Sequence, residues 1–187
     1  MIDPKNLPLS LYIHLPWCAR KCPYCDFNSH EGFSESYQEP YINALLADLE
    51  SQLDWVAGRS LATIFIGGGT PSLFTGRWID RMLSGVARIA TISRTAEITL
   101  ESNPGSAEVA RFRDYRNAGV TRLSIGVQSF DDAALIRLGR IHSGDEARKA
   151  LASVDKAGFS RWNIDLMHGL PGQNSAKARD DIREAIK

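Results

Sequence analysis

The sequence predicts an α/β protein built on a parallel β-sheet. Two patterns in its 187 residues carry this prediction: short apolar or β-branched runs alternate with longer amphipathic segments, and the alternation repeats through five βα units. Such alternation implies parallel strands joined by right-handed helical crossovers. The architecture is then an open doubly wound sheet or a full or partial (β/α) barrel, and periodicity alone does not separate these.

Each predicted strand is followed by one or two helical segments. The predicted strands span residues 9–15, 61–66, 97–101, 122–128 and 162–167. The predicted helices span residues 41–55, 75–90, 106–118, 131–138 and 145–157, and a last one runs from 176 to the end. Gly119 and Gly158 predict helix C-termini, and Asp131 and Ser143 are predicted N-caps.

Composition and charge narrow the range of partners. Lysine plus arginine total 22 and aspartate plus glutamate total 22, so no long-range field favours nucleic acid or an anionic membrane. The longest apolar stretch, about 61–69, is too short to span a bilayer. Residues 1–5 have neither the basic start nor the apolar run of a secretory signal. We expect one domain over residues 1–187, in the cytoplasm, without nucleic-acid binding or stable membrane insertion.

The three cysteines form a C-x3-C-x2-C run directly after the first predicted strand. Cys18, Cys22 and Cys25 lie within eight residues, and their odd number argues against a disulfide framework. Three thiolates can hold three irons of a [4Fe-4S] cubane and leave the fourth iron open to a bidentate small molecule. The alternatives are a Cys3His zinc site that uses His14 or His30, and three unrelated buried thiols. The intervening Arg20 and Lys21 are interpreted as offsetting the cluster charge or as solvated.

Residues 10–30 read SLYIHLPWCARKCPYCDFNSH, and this run resembles the radical S-adenosylmethionine (SAM) superfamily. Within the superfamily, the resemblance is to the oxygen-independent coproporphyrinogen III oxidase group and closest to its heme-chaperone branch; it covers residues 9 to about 173. It implies a partial (β/α) barrel of the radical SAM type with about five βα units, truncated before the sixth, so that 1–187 is an incomplete core domain. It also implies a [4Fe-4S] cluster on the three cysteines, with SAM at the open iron.

Polar or glycine-rich segments follow the other predicted strands, where barrel-type α/β proteins place their working residues. Gly67-Gly68-Gly69-Thr70-Pro71 resembles the family's GGGTP segment, which contacts the amino-acid part of SAM. Glu101 resembles a SAM-contacting glutamate, although from the residues alone a solvated acid stays open. Gln128 ends a buried strand and must have a partner, either a ligand or neighbouring backbone.

Two further side chains are interpreted as ligand contacts. Arg140 can clamp a carboxylate, and the alternative is an exposed arginine at a helix end. Asp165 lies inside an otherwise apolar strand, so we expect a buried carboxylate that binds a ribose hydroxyl or an internal partner. Carried over motif by motif, the resemblance implies SAM contacts from Tyr12, Tyr24, Gly68, Gly69, Thr70, Glu101, Gln128, Arg140 and Asp165. The two tyrosines also fit a packing role, and we assign no ligand role to His14, His30, His142 or His168.

Position 27 separates two functions that share this core. The oxidase branch has a fourth cysteine two residues after the third, whereas this sequence has Phe27. This departure favours a heme chaperone, with heme as cargo, an electron donor for the cluster and an acceptor protein for heme. The alternatives are oxidative decarboxylation of coproporphyrinogen III and a small zinc-binding module. Whether the chain is an enzyme stays open, because the resemblance implies that chaperone-type members bind the cluster and SAM without an established reaction.

Overall fold

A computed structural model describes residues 7–187, so the expectation about a secretory signal in residues 1–5 lies outside the described residues. The described strands form one parallel sheet of five strands in the order β1-β2-β3-β4-β5. They are β1 (Leu9–Leu15), β2 (Leu61–Gly68), β3 (Ile92–Ser102), β4 (Arg122–Gln128) and β5 (Trp162–Leu166). Helices connect each strand to the next, which confirms the predicted βα alternation.

The helices lie close to the predicted segments. They are α1 (Gln38–Ser51), α2 (Leu53–Val56), α3 (Gly76–Ile89), α4 (Ser106–Val109), α5 (Phe112–Asn117), α6 (Asp132–Arg137), α7 (Gly144–Val154) and α8 (Ser175–Ala185). The predicted caps are confirmed: the Asp131 side chain accepts from Ala134 N–H, and Ser143 forms a capping box with Glu146. Gly158 ends the helical stretch after α7 with a φ of 90°.

Two predicted helices are broken in the structure. The helix predicted over 41–55 divides into α1 and α2, and Ala57, with a φ of 51°, caps the C-terminus of α2. The helix predicted over 106–118 divides into α4 and α5. Arg111 lies at this break and donates to the carbonyl oxygens of Ser72 and Leu73, both at 3.0 Å. A long-range contact of this kind leaves no periodic signal, so the break could not be read from the local sequence.

The two faces of the sheet differ in chemistry because side chains alternate along each strand. One face buries apolar side chains against the helices, among them Ile13, Ile66, Leu100, Leu123 and Ile125. The other face is polar and linked across strands: Thr63 Oγ1 donates to Ser10 Oγ at 2.8 Å, and Arg122 contacts Glu97 at 3.1 Å and Asn163 at 2.6 Å. The architecture is a partial (β/α) barrel. Within residues 7–187, no helix is long and apolar enough to cross a membrane.

Candidate functional site

A cavity of about 320 Å³ opens at the carboxyl ends of the strands. All three cysteines line it, together with most of the predicted SAM contacts: Tyr24, Gly68, Gly69, Thr70, Glu101, Gln128, Arg140 and Asp165. Tyr12 is the predicted contact that does not line this cavity. Its hydroxyl instead lies 3.0 Å from His14 Nδ1, and its ring stacks on Phe65. The fold therefore gathers residues from distant parts of the chain around the cysteines.

The cysteine loop, residues 16–31, is fixed by its own backbone. Cys18 N–H donates to the His30 carbonyl and His30 N–H donates to the Pro16 carbonyl, both at 2.8 Å, so the two ends of the loop pair. Lys21 then bridges the interior: its Nζ donates to the carbonyl oxygens of Phe27 at 3.2 Å and Ser29 at 3.1 Å. Lys21 thus neutralises partial charges of the loop itself, a role that the sequence interpretation did not include.

The donor set fits an iron–sulfur cluster better than a single ion. Within the described part of the chain, no group of three or more His, Cys, Asp or Glu side chains converges as the ligands of one metal ion do. Zinc requires ligands at about 2.0–2.3 Å from one point, whereas in a cubane each cysteine binds a different iron. All three thiols are free and line one cavity. His14 is engaged elsewhere, because its Nε2 donates to the Asn28 carbonyl at 2.8 Å.

The glycine run at the end of β2 lies directly against the start of the cysteine loop. Gly69 N–H donates to the Leu15 carbonyl at 2.8 Å, and Thr70 N–H donates to the Trp17 carbonyl at 2.7 Å. A Cβ on Gly69 would lie 2.6 Å from the Trp17 carbonyl oxygen, and Gly68 has a φ of 121°. Glycine is required at Gly69 because of the close backbone approach and at Gly68 because of the positive φ.

Glu101 extends from the end of β3 over this glycine run. Its Oε2 accepts a hydrogen bond from Gly68 N–H at 3.2 Å, so the carboxylate is partly buried with a backbone partner and is not simply solvated. Burial raises the pKa of Glu101, and the nearby Asp165 carboxylate raises it further, while the Gly68 N–H opposes both. A carboxylate in this position can accept a hydrogen bond from a bound ammonium group.

Gln128 combines backbone strain with an unpaired polar atom. It is buried with a φ of 63°, in the left-handed region that non-glycine residues rarely adopt. We predicted a hydrogen-bond partner for this side chain, but its Oε1 has none in the structure. The prediction that neighbouring backbone could be this partner is therefore wrong for Gln128 Oε1. A buried acceptor without a partner costs stability, and such strained residues cluster at ligand sites.

Arg140 is half-buried and reaches across the cavity, so the alternative of an exposed arginine at a helix end is wrong. Its Nη2 donates to Asn103 Oδ1 at 2.6 Å and to the Gly126 carbonyl at 2.8 Å, and its Nη1 lies 3.8 Å from Cys22 Sγ. Asn103 also donates to Thr70 Oγ1 at 3.3 Å. Sequence reasoning did not single out Asn103, although its place two residues after Glu101 at the same strand end could have indicated it.

Asp165 is exposed, which corrects the prediction of a buried carboxylate. The reason is strand order: β5 is an outer strand of the sheet, so its polar face has a neighbour on one side only. Asn163 Nδ2 donates to Asp165 at 3.1 Å, and Ser124 Oγ lies 3.5 Å from it. The carboxylate still lines the cavity. Other lining residues that the sequence analysis missed are Ser124, Ile141 and Met167.

Fold and site together define a (β/α)-barrel protein with a thiol-lined cavity at the carboxyl ends of its strands. The sequence profile of the radical SAM superfamily matches residues 12–185, and the chain belongs to this superfamily. Membership of this superfamily implies a [4Fe-4S] cluster and SAM as cofactors.

Several curated relatives are similar over most of this chain. Heme chaperone HemW of Escherichia coli K12 is 51% identical over 96% of this chain and 48% of that protein. Heme chaperone HemW of Haemophilus influenzae is 50% identical over 98% of this chain and 49% of that protein. The mitochondrial radical S-adenosyl methionine domain-containing protein 1 of Bos taurus is 38% identical over 91% of this chain. The chain spans about half the length of the curated HemW relatives it matches.

Solved structures share the fold. Coproporphyrinogen III oxidase (HemN) from Escherichia coli, described as a radical SAM enzyme, superposes with a TM-score of 0.86 at 28% identity, over 96% of this chain and 42% of that one. Elp3 from Methanocaldococcus infernus has a TM-score of 0.61 at 16% identity and shows the fold alone. The partial barrel is therefore of the radical SAM type.

Proposed function

We propose that this chain is the SAM-binding core of a heme chaperone, in which Cys18, Cys22 and Cys25 hold a [4Fe-4S] cluster. The observation that carries the proposal is that three free thiols line the same cavity as residues from the ends of the other strands. The similarity to HemW proteins at 51% identity supports heme as the cargo. When bound, such a cluster supplies the electron that cleaves SAM in this superfamily.

The remaining cavity residues receive roles by their chemistry. Gly68 and Gly69 lack side chains and let the amino-acid part of SAM approach the backbone closely, and Thr70 contacts it through its hydroxyl. Glu101 accepts from the SAM ammonium, and Asp165 accepts from a ribose hydroxyl. The other proposed contacts in the cavity are Gln128, through its unpaired Oε1, Arg140, through its guanidinium, and Tyr24. Tyr12 is also a proposed contact, although it does not line the cavity.

Position 27 supports the chaperone over the oxidase. Phe27 lines the cavity and is 60% exposed, so a side chain without a thiol occupies the position of the oxidase branch's fourth cysteine. Coproporphyrinogen III oxidation is the second candidate because of the similarity to the oxidase from Escherichia coli. Consumption of coproporphyrinogen III by the cluster-loaded protein with SAM and a reductant would favour that candidate.

The proposal also includes the extent of the domain, the partner proteins and the cellular compartment. We propose that residues 1–187 form one core domain, that an electron donor reduces its cluster and that a separate protein accepts its heme. We also propose a cytoplasmic location, because a cluster on Cys18, Cys22 and Cys25 requires reduced thiolates, which a reducing compartment maintains.

The direct test is anaerobic reconstitution with iron and sulfide, followed by EPR spectroscopy of the reduced protein with and without SAM. We expect a cubane signal that changes when SAM is added, because SAM reaches the open iron. Cys22→Ala should lose the four-iron signal, whereas Ser36→Ala, on the exposed surface, should keep it. A full four-iron cluster in Cys22→Ala would refute the ligand assignment, and no cluster in the folded wild-type protein would refute the proposal.

A further inference from the structure

The chain turns sharply where β4 ends, over Val127, Gln128, Ser129 and Phe130, which we call the β4 corner. Gln128 carries the left-handed φ of 63° at this corner and lines the cavity with an unpaired Oε1. A conformation of this kind persists only where surrounding contacts fix it. The contacts of the neighbouring residues therefore determine where the Gln128 amide lies.

Asp181, in the middle of α8, contacts the β4 corner from 51 residues further along the chain. It is 6% exposed, and its carboxylate accepts from Ser129 Oγ at 3.0 and 2.8 Å and from Phe130 N–H at 2.7 Å. The Ser129 hydroxyl in turn accepts from Asp131 N–H at 3.1 Å. A buried carboxylate is costly unless hydrogen bonds satisfy it, so the corner and Asp181 fix each other.

Ser129 N–H donates to the Val127 carbonyl at 2.8 Å, directly across Gln128, and two other contacts hold the corner on its opposite side. His142 Nε2 donates to the Val127 carbonyl at 3.0 Å, and Met167 N–H donates to the Gln128 carbonyl at 2.9 Å. These contacts hold the residues up to Gln128, whereas Asp181 holds the two residues after it. Gln128 therefore lies between two fixed segments, and α8 supplies one of them.

We infer that Asp181 is a positioning residue of the cavity, which holds Gln128 in its left-handed conformation so that its amide faces a bound ligand. The inference rests on the proposed function, in which that ligand is SAM. Asp181 acts through the Ser129 hydroxyl and the Phe130 N–H and does not touch the ligand.

Two ion pairs attach α8 to the rest of the protein without involving Asp181. Lys177 pairs with Asp131 at 3.1 Å, and Glu184 pairs with Arg148 at 2.6 Å, so α8 has two further attachments. Replacing Asp181 should therefore release the corner without detaching the helix. Asp180, its exposed neighbour on α8, provides a matched control for the same substitution.

The first test needs no ligand and measures the backbone of residue 128. Gln128→Gly should unfold at a higher temperature than Gln128→Ala, because glycine adopts a positive φ without strain. In combination with Asp181→Asn, the relaxed corner should remove this advantage of glycine, whereas Asp180→Asn should leave it unchanged. An equal glycine advantage with and without Asp181→Asn would overturn the inference. Ser129→Ala, which removes one hydroxyl, should reduce the advantage in the same way if Asp181→Asn folds poorly.

The second test measures the SAM dissociation constant of cluster-loaded protein. Asp181→Asn should weaken SAM binding about tenfold, as loss of a supporting residue does at other bound groups. In the double variant Gln128→Ala, Asp181→Asn, SAM affinity should be little lower than in Gln128→Ala alone. If Asp181→Asn acted only by destabilising the protein, the two losses of affinity would add. Unchanged affinity in Asp181→Asn would overturn the inference and leave the proposed function intact. If Asp181→Asn removes the glycine advantage at position 128 but the cluster-loaded wild-type protein binds no SAM, only the proposed function is refuted.

Discussion

The buried His142 side chain makes the stability of the protein depend on pH. It is 5% exposed, and its Nε2 donates to the Val127 carbonyl at 3.0 Å while its Nδ1 has no partner in the structure. Burial, and after it the nearby Arg140 charge, lower the pKa of His142 to about 4, with Glu146 opposing the shift. The folded protein therefore keeps this imidazole neutral at pH values where the unfolded chain protonates it.

The free energy of unfolding should fall as the pH drops from 6.5 to about 4, because His142 is protonated in the unfolded state but stays neutral in the folded state over this range. His142 should contribute on the order of 3 kcal/mol to this fall, and its contribution is absent above the unfolded pKa. Urea unfolding at several pH values measures it. His142→Gln should show a shallower dependence, and His168→Gln, on the surface, should follow the wild-type protein. A dependence in His142→Gln as steep as in the wild-type protein would contradict this assignment.

Single residues also show where sequence reasoning reaches its limit. The roles of Gly68 and Gly69 follow from their motif, because close approach and a positive φ are what a glycine run supplies. The strain at Gln128 does not, since a glutamine gives no sign that its backbone is left-handed. The contact between Arg140 and Asn103 joins residues 37 positions apart, and only the sheet order brings them together.

Among the elements, the cysteine loop is held in shape before any cofactor is considered. Lys21 donates to the carbonyl oxygens of Phe27 and Ser29, and its backbone N–H donates to Glu31 Oε1 at 2.7 Å. Arg20 lies next to it in the chain and is exposed. The sequence predicted the position of this loop after β1 from the cysteine spacing, but it could not assign different roles to two adjacent cations.

Lys21→Met should slow cluster assembly several-fold, because the free loop loses its bridging cation and the thiols become less ordered before iron binds. Hydrogen bonds from a charged donor contribute about 1.5–3 kcal/mol when buried and less in an exposed loop, so we expect roughly 1 kcal/mol here. The rise of the charge-transfer absorbance during anaerobic reconstitution measures the rate. Lys156→Met, which changes an exposed lysine outside the cavity lining, should assemble at the wild-type rate. Equal rates for the two variants would show that Lys21 does not order the loop.

Strands were easier to predict than helices because each strand is a short apolar run with polar residues at its end. The bounds of β1 and β4 match the prediction, whereas β3 begins five residues before the predicted segment 97–101. The break between α4 and α5 depends on Arg111, which contacts residues 38 and 39 positions away. Element boundaries set by tertiary contacts therefore escape a reading of local periodicity.

At the scale of the whole molecule, the sheet places the site where every strand contributes. Parallel strands have their carboxyl ends at one edge, so Cys18 after β1, Gly68 in β2, Glu101 in β3, Gln128 in β4 and Asp165 in β5 meet around one cavity. This convergence followed from the predicted topology. The exposure of Asp165 did not, because it depends on β5 being an outer strand of the sheet.

A ligand in this cavity should therefore stabilise the whole sheet and not one loop. SAM at about 100 times its dissociation constant should raise the free energy of unfolding of the cluster-loaded protein by about 2.7 kcal/mol. Amide hydrogen exchange should slow at the carboxyl ends of all five strands, since each contributes a residue or a following loop to the cavity. The Cys25→Ala protein, which lacks a cluster ligand, provides the comparison and should show a much smaller response. Protection confined to the cysteine loop, with the ends of β3, β4 and β5 unchanged, would mean that SAM does not occupy the cavity that these strands form.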